Sequence, residues 1–113
     1  MSNLSTHVLD VALGRPAAGL AVHLEVEEGG GWRELARGAT NADGRIAPLL
    51  PAGTALAAAT YRLTFDTGAY FTGRGVEGFY PYAQVAFTVR DPGQHHHVPL
   101  LLSPFGYSTY RGS

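Results

Sequence analysis

Leu20-Ala21-Val22-His23-Leu24-Glu25-Val26-Glu27 alternates apolar and polar residues without a break. Successive side chains of a strand point to opposite faces, so Leu20, Val22, Leu24 and Val26 share one face, and the segment reads as a half-buried strand. Glu28-Gly29-Gly30-Gly31 is a turn, and Trp32 to Thr40 is the returning strand of a hairpin. The same punctuation runs outward in both directions. Ser5 to Val11 reads as a strand ended by Gly14-Arg15-Pro16. Asn41-Ala42-Asp43-Gly44 is a second turn, and Arg45-Ile46-Ala47 starts a short strand that Pro48 and Pro51 stop. Tyr61 to Asp66, Ala83 to Val89, His95 to Leu102 and Tyr107 to Arg111 are further strands. Part of Thr67 to Gly78 reads as a short helix or a loop excursion. Seven or eight short strands at regular spacing, with one helix at most, predict an all-β fold: a two-sheet antiparallel sandwich.

With 113 residues the chain is expected to form a single domain over residues 1–113. Charged residues make up only 15% of it, against about 25% in an ordinary soluble domain. Part of its surface is therefore expected to be covered by other subunits. Net charge is −1, and the eight basic residues are all arginines, scattered along the chain. That pattern argues against nucleic acid and anionic membrane as partners. No apolar run is long enough to span a bilayer as a helix. Met1-Ser2-Asn3-Leu4 lacks the basic-then-apolar pattern of a secretory leader, which makes the cytoplasm the expected location. Without cysteine there is no disulfide framework, thiolate nucleophile or thiolate metal site.

Strand parity groups the residues that carry chemistry. Ser5, His7 and Leu9 point one way, and Thr6, Val8 and Asp10 the other. Val98, Leu100 and Leu102 form an apolar face, so His97 and Pro99 point outward. Tyr107, Thr109, Arg111 and Ser113 share a face of the last strand. If these strands lie in one sheet, His7, His97 and the tail meet on its outer surface. Two imidazoles there exchange protons near neutral pH, and an arginine supplies a fork of donors for a carboxylate, an enolate or a polarised carbonyl. Activated water, rather than a covalent intermediate, is the expected nucleophile. Plainer readings attach to other residues. His23 faces away from the apolar stripe. Tyr61, Phe65, Phe87 and Trp32 fit core or interface. Arg45 is by default a solvated turn residue. His95 and His97 have a zinc-chelating i, i+2 spacing, yet no third ligand is evident.

Leu4-Ser5-Thr6-His7-Val8-Leu9-Asp10, Gly14-Arg15-Pro16-Ala17, Thr40-Asn41-Ala42-Asp43-Gly44-Arg45, His95-His96-His97-Val98-Pro99-Leu100-Leu101-Leu102-Ser103-Pro104 and Tyr107-Ser108-Thr109-Tyr110-Arg111-Gly112-Ser113 resemble the 5-hydroxyisourate hydrolase family, the transthyretin-related proteins of purine catabolism. The resemblance runs almost end to end. It implies a transthyretin-like sandwich of two four-stranded sheets and a homotetramer, a dimer of dimers, with active sites in the channel between dimers. It implies opening of the six-membered ring of 5-hydroxyisourate to 2-oxo-4-hydroxy-4-carboxy-5-ureidoimidazoline, with no cofactor and no metal. The family's catalytic set falls on His7, Arg45, His97 and Ser113. Substrate contacts fall on His7, Arg45, Ser113 and, in the closing motif, Tyr110 and Arg111. His97 is the slightly better candidate for orienting water and His7 for proton transfer, although the residues do not divide the roles. His96 stands where the family often has Tyr and should face the other way. Tyr82 stands where an acidic residue is common and bears on subunit contacts. Two other readings stay open: a transthyretin-like carrier of an aromatic ligand, and a histidine-rich metal-binding sandwich.

Overall fold

The computed structural model describes residues 4–47, 49–51 and 53–113. The expectations placed on Met1 to Asn3 and on Pro48 lie outside the described residues. Strand β1 is Leu4–Asp10, β2 Arg15–Pro16, β3 Ala21–Glu28, β4 Gly31–Ala39 and β5 Arg45–Ile46. Next come β6 Ala59–Phe65, helix α1 Thr67–Gly73, β7 Ala83–Val89, β8 His96–Ser103 and β9 Gly106–Thr109. One sheet has the order β2-β1-β8-β9, with β5 also paired to β1; the other has the order β4-β3-β6-β7.

Alternation builds the interior. Val22, Leu24 and Val26 of β3, Tyr61, Leu63 and Phe65 of β6, and Val85 and Val89 of β7 are buried from one sheet. They meet Leu4 and Val8 of β1 and Val98, Leu100 and Leu102 of β8 from the other. Two sheets, each with one apolar face, bury those faces only against each other. Each fully buried leucine contributes roughly 1.5–3 kcal/mol.

Among the buried polar residues, Thr6 and Asp10 are both satisfied. The Thr6 hydroxyl donates to the Val98 carbonyl at 2.6 Å. Asp10 accepts from the amides of Ala12 and Leu13 at 3.1 Å each and from the Tyr70 hydroxyl at 2.9 Å, tying α1 to the end of β1. Burial and the neighbouring Asp10 carboxylate raise the Tyr70 pKa, which keeps this phenol a donor. Asp66 caps α1, and Phe71 anchors it in the core, so the helix occupies the first half of the Thr67–Gly78 stretch.

The sandwich is as expected in its two sheets and one short helix. It departs from the expectation in two details. The β1–β8 pair is parallel, with Leu4 opposite His96 and Asp10 opposite Leu102. The two-residue strands β2 and β5 both attach to β1, which makes its sheet five-stranded rather than four-stranded. Both details shape the site.

Candidate active site

The outer face of β1 carries Ser5 and His7. Antiparallel pairing with β5 sets Arg45 directly opposite His7, and parallel pairing with β8 sets Ser5 opposite His97 and His7 opposite Pro99. His97 is therefore the diagonal neighbour of His7, within reach on the same face. The sheet brings His7 and His97 to one face as strand parity anticipates, and sets Arg45, the position given by the family resemblance, opposite His7.

The turn before β5 presents Arg45 in a fixed way. The Asn41 side-chain oxygen accepts from the Asp43 amide at 2.9 Å and the Arg45 amide at 3.0 Å. The Val8 amide donates to the Gly44 carbonyl at 2.7 Å. Gly44 has φ +73° and is pressed so close to the Val8 carbonyl that a side chain there would sit 2.4 Å from its oxygen. Only glycine satisfies both conditions, and the guanidinium of the next residue depends on it.

The tail is held too. Gly112 forms an antiparallel bridge with His97, its amide donating to the His97 carbonyl at 2.8 Å. Ser113 follows directly and is exposed. A Cβ on Gly112 would lie 2.6 Å from His97 Cδ2 and 3.3 Å from the Pro99 ring. Gly112→Ala therefore moves the imidazole while leaving the core intact. Since a displacement of about 1 Å costs up to 100-fold, an activity loss of about tenfold is expected, with an unchanged melting temperature. Parallel turnover and thermal-melt measurements check this, and full activity in the variant would contradict the close approach.

His97 is half-buried and has a lowered pKa. Burial is the largest cause; the charges of Arg45, His7 and His95 add to it, and a backbone hydrogen bond with Ser5 opposes it. The site thus holds an imidazole whose protonation is disfavoured, in the field of a cationic guanidinium. A base and an electrophilic fork on one face are the combination needed to deprotonate water and steady the oxyanion its attack creates.

Tyr110 and Arg111 line a cleft of about 300 Å³ together with His96, His97 and Val85 to Thr88 of β7; His7 and Arg45 do not border it. Arg111 donates to the Gln94 side chain at 3.1 Å and towards the His95 carbonyl at 3.5 Å, so it braces the entry to β8. His96 points inward and is buried, and its Nδ1 has no hydrogen-bond partner among the described residues. No three potential metal-ligating side chains gather among the described residues.

Ser5 is the residue that sequence reading passes over. Its hydroxyl lies 2.9 Å from His97 Nδ1 and 3.0 Å from His95 Nε2. The one available signal is its parity with His7, two positions away on the same face.

A family model described as the HIUase/Transthyretin family matches residues 4–112. The chain belongs to that family. Among members, the 5-hydroxyisourate hydrolase of Mus musculus is 50% identical over 99% of this chain and 96% of its own. The solved 5-hydroxyisourate hydrolase of Klebsiella pneumoniae is 45% identical with a TM-score of 0.85, covering 97% of this chain and 98% of that one. Sea bream transthyretin, solved with thyroxine, is 37% identical with a TM-score of 0.91, covering 97% of this chain and 94% of that one. Backbone likeness within the HIUase/Transthyretin family thus does not separate its enzymes from its carriers. The side chains at the site must do so.

Proposed function

We propose that this protein hydrolyses 5-hydroxyisourate, opening its six-membered ring to the ureidoimidazoline. The observation that carries the reading is the register that sets Arg45 opposite His7 on one side of β1 and His97 diagonal to His7 on the other, with the Arg45 charge acting on His97. The hydrolase relatives at 45–50% identity support it. His97 takes a proton from water, and the water oxygen attacks the ring carbonyl carbon. Arg45 steadies the resulting oxyanion, a charge-assisted interaction of roughly 1.5–3 kcal/mol. The carbon–nitrogen bond then breaks, and the departing nitrogen takes the proton back from His97. His7 orients the water, and Ser113 hydrogen-bonds the substrate ring.

This reverses the division of labour favoured from sequence. The reason is Ser5. Its hydroxyl holds His97 by Nδ1 and leaves Nε2 free, whereas the His7 ring has no hydrogen bond among the described residues.

A homotetramer with the site in a channel between dimers fits the exposed apolar surface. Phe79, Tyr80 and Tyr107 form one patch, Phe105 is also exposed, and Val11 and Leu13 are exposed on the turn that follows β1. A cytoplasmic location fits a chain without cysteine. No described helix is long and apolar enough to cross a membrane.

The test is the ultraviolet decay of freshly made 5-hydroxyisourate with and without protein. Unaltered decay together with tight binding of an aromatic hormone would favour carriage instead. The pH profile gives a second check. The base must be neutral to act, and its pKa is lowered, so neutral His97 persists into mildly acid solution. The acid limb of kcat/KM is therefore expected below the ordinary imidazole value of 6.5. A limb above that value would remove His97 as the base.

A further inference from the structure

We propose that Ser5 and His95 form a proton relay that stores the proton His97 takes from water and returns it when the ring opens. The proposal rests on His97 being the base.

The geometry is a chain of three groups. The Ser5 hydroxyl bridges His97 Nδ1 at 2.9 Å and His95 Nε2 at 3.0 Å. The two rings lie 6.5 Å apart and within 19° of parallel, with the buried hydroxyl between them. A hydroxyl has one proton to give and lone pairs to accept with, so it can accept from one ring while donating to the other. In the resting state His97 Nδ1–H donates to Ser5 Oγ, and Ser5 Oγ–H donates to His95 Nε2. His97 Nε2 is then the bare nitrogen.

The two ends of the relay differ in surroundings. His97 is half-buried beside Arg45 and His7, both of which repel a positive charge on it. His95 is exposed, where water solvates that charge. Arg111 reaches only the His95 carbonyl and Gln94.

The steps balance. Water gives a proton to His97 Nε2 as its oxygen bonds to the carbonyl carbon. His97 passes its Nδ1 proton to Ser5 Oγ, and Ser5 passes its own proton to His95 Nε2. His97 is neutral again, and His95 holds the charge while the tetrahedral adduct exists. On ring opening the order reverses: His95 returns a proton through Ser5 to His97 Nδ1, and His97 Nε2–H goes to the departing nitrogen. Ser5 and His95 touch no reacting atom. They act through His97, as positioning residues.

The test combines three variants with spectroscopy of the ring nitrogens. Ser5→Ala should lower kcat about tenfold, a fraction of the usual value of proton transfer, with KM within about twofold. Ser5→Thr keeps the hydroxyl and should restore most of the loss. His95→Gln should lower kcat similarly. Solvent-isotope mixtures should give a curved dependence of kcat in the wild type, reporting more than one proton in flight, and a linear one in Ser5→Ala and His95→Gln. Nitrogen-15 spectra of the substrate-free wild type should show His97 as the single Nδ1–H tautomer, and Ser5→Ala should show a mixture. A wild-type Nε2–H tautomer, a linear wild-type isotope dependence, or Ser5→Thr no better than Ser5→Ala would each overturn the relay. The spectra need no turnover, so they report on the relay separately. A wild type that leaves 5-hydroxyisourate decay unchanged would instead sink the functional reading.

Discussion

Replacing His97 with asparagine leaves the sandwich folded and slows the hydrolysis of 5-hydroxyisourate at least hundredfold. Asparagine keeps a polar side chain towards Ser5 and fits a half-buried outward position. It cannot take a proton from water. General acid–base catalysis is typically worth about 10²–10⁴ in rate, and in the proposed mechanism the whole of it passes through this imidazole. Little stability is at stake, because His97 faces away from the core that Val98, Leu100 and Leu102 fill. The measurement is the ultraviolet decay rate at saturating substrate, with a thermal melt on the same sample. A loss of about threefold with an unchanged melt would show that the proton goes elsewhere.

Gly44→Ala acts on stability, and through it on Arg45. The residue has φ +73°, and the added Cβ would meet the Val8 carbonyl oxygen at 2.4 Å, Pro16 Cβ at 3.1 Å and the Ala17 amide at 3.3 Å. Left-handed backbone costs an L-residue about 1–2 kcal/mol. Relieving a contact with rigid backbone costs about 1–3 kcal/mol more. The sum, about 3 kcal/mol, is a large part of a typical folding stability of about 5–15 kcal/mol. It should lower the melting temperature by roughly 10 °C or more. Two of the three groups the new methyl would strike are fixed backbone, so the turn has to move and the guanidinium moves with it. Activity is expected to fall even where the protein stays folded. A melting temperature within about 2 °C of the wild type would show that the turn yields freely.

The parts legible in the sequence were those that a two-residue period writes directly. Leu24 and Val26, Leu63 and Phe65, and Val98 and Leu100 fall on the faces that alternation assigns, and the same parity turns His7 and His97 outward. Pairing direction is not written that way. Leu4 to Asp10 and His96 to Ser103 bury alternate residues equally well in either orientation, and only the whole topology makes them parallel. Strand β5 is two residues long, too short for any period, so the register of Arg45 with His7 follows from the Asn41–Gly44 turn. Arg111 belongs to a motif suggestive of substrate contact, and one of its guanidinium nitrogens donates to Gln94 and towards the His95 carbonyl while the residue lines the cleft that His97 borders. Where a long side chain goes depends on which acceptors the fold leaves near it. A strand serine such as Ser5 gains meaning only once two imidazoles lie on either side of it.

The parallel pairing of the first and eighth strands has a kinetic side. It joins segments 92 positions apart, whereas the β4-β3-β6-β7 sheet is stitched from neighbours much closer along the chain. Long loops close late because their entropy is lost before any contact rewards it. Catalytic competence should therefore be the last property a refolding chain regains, trailing the recovery of its sheet signal. Turnover then serves as a stopwatch for the final closure.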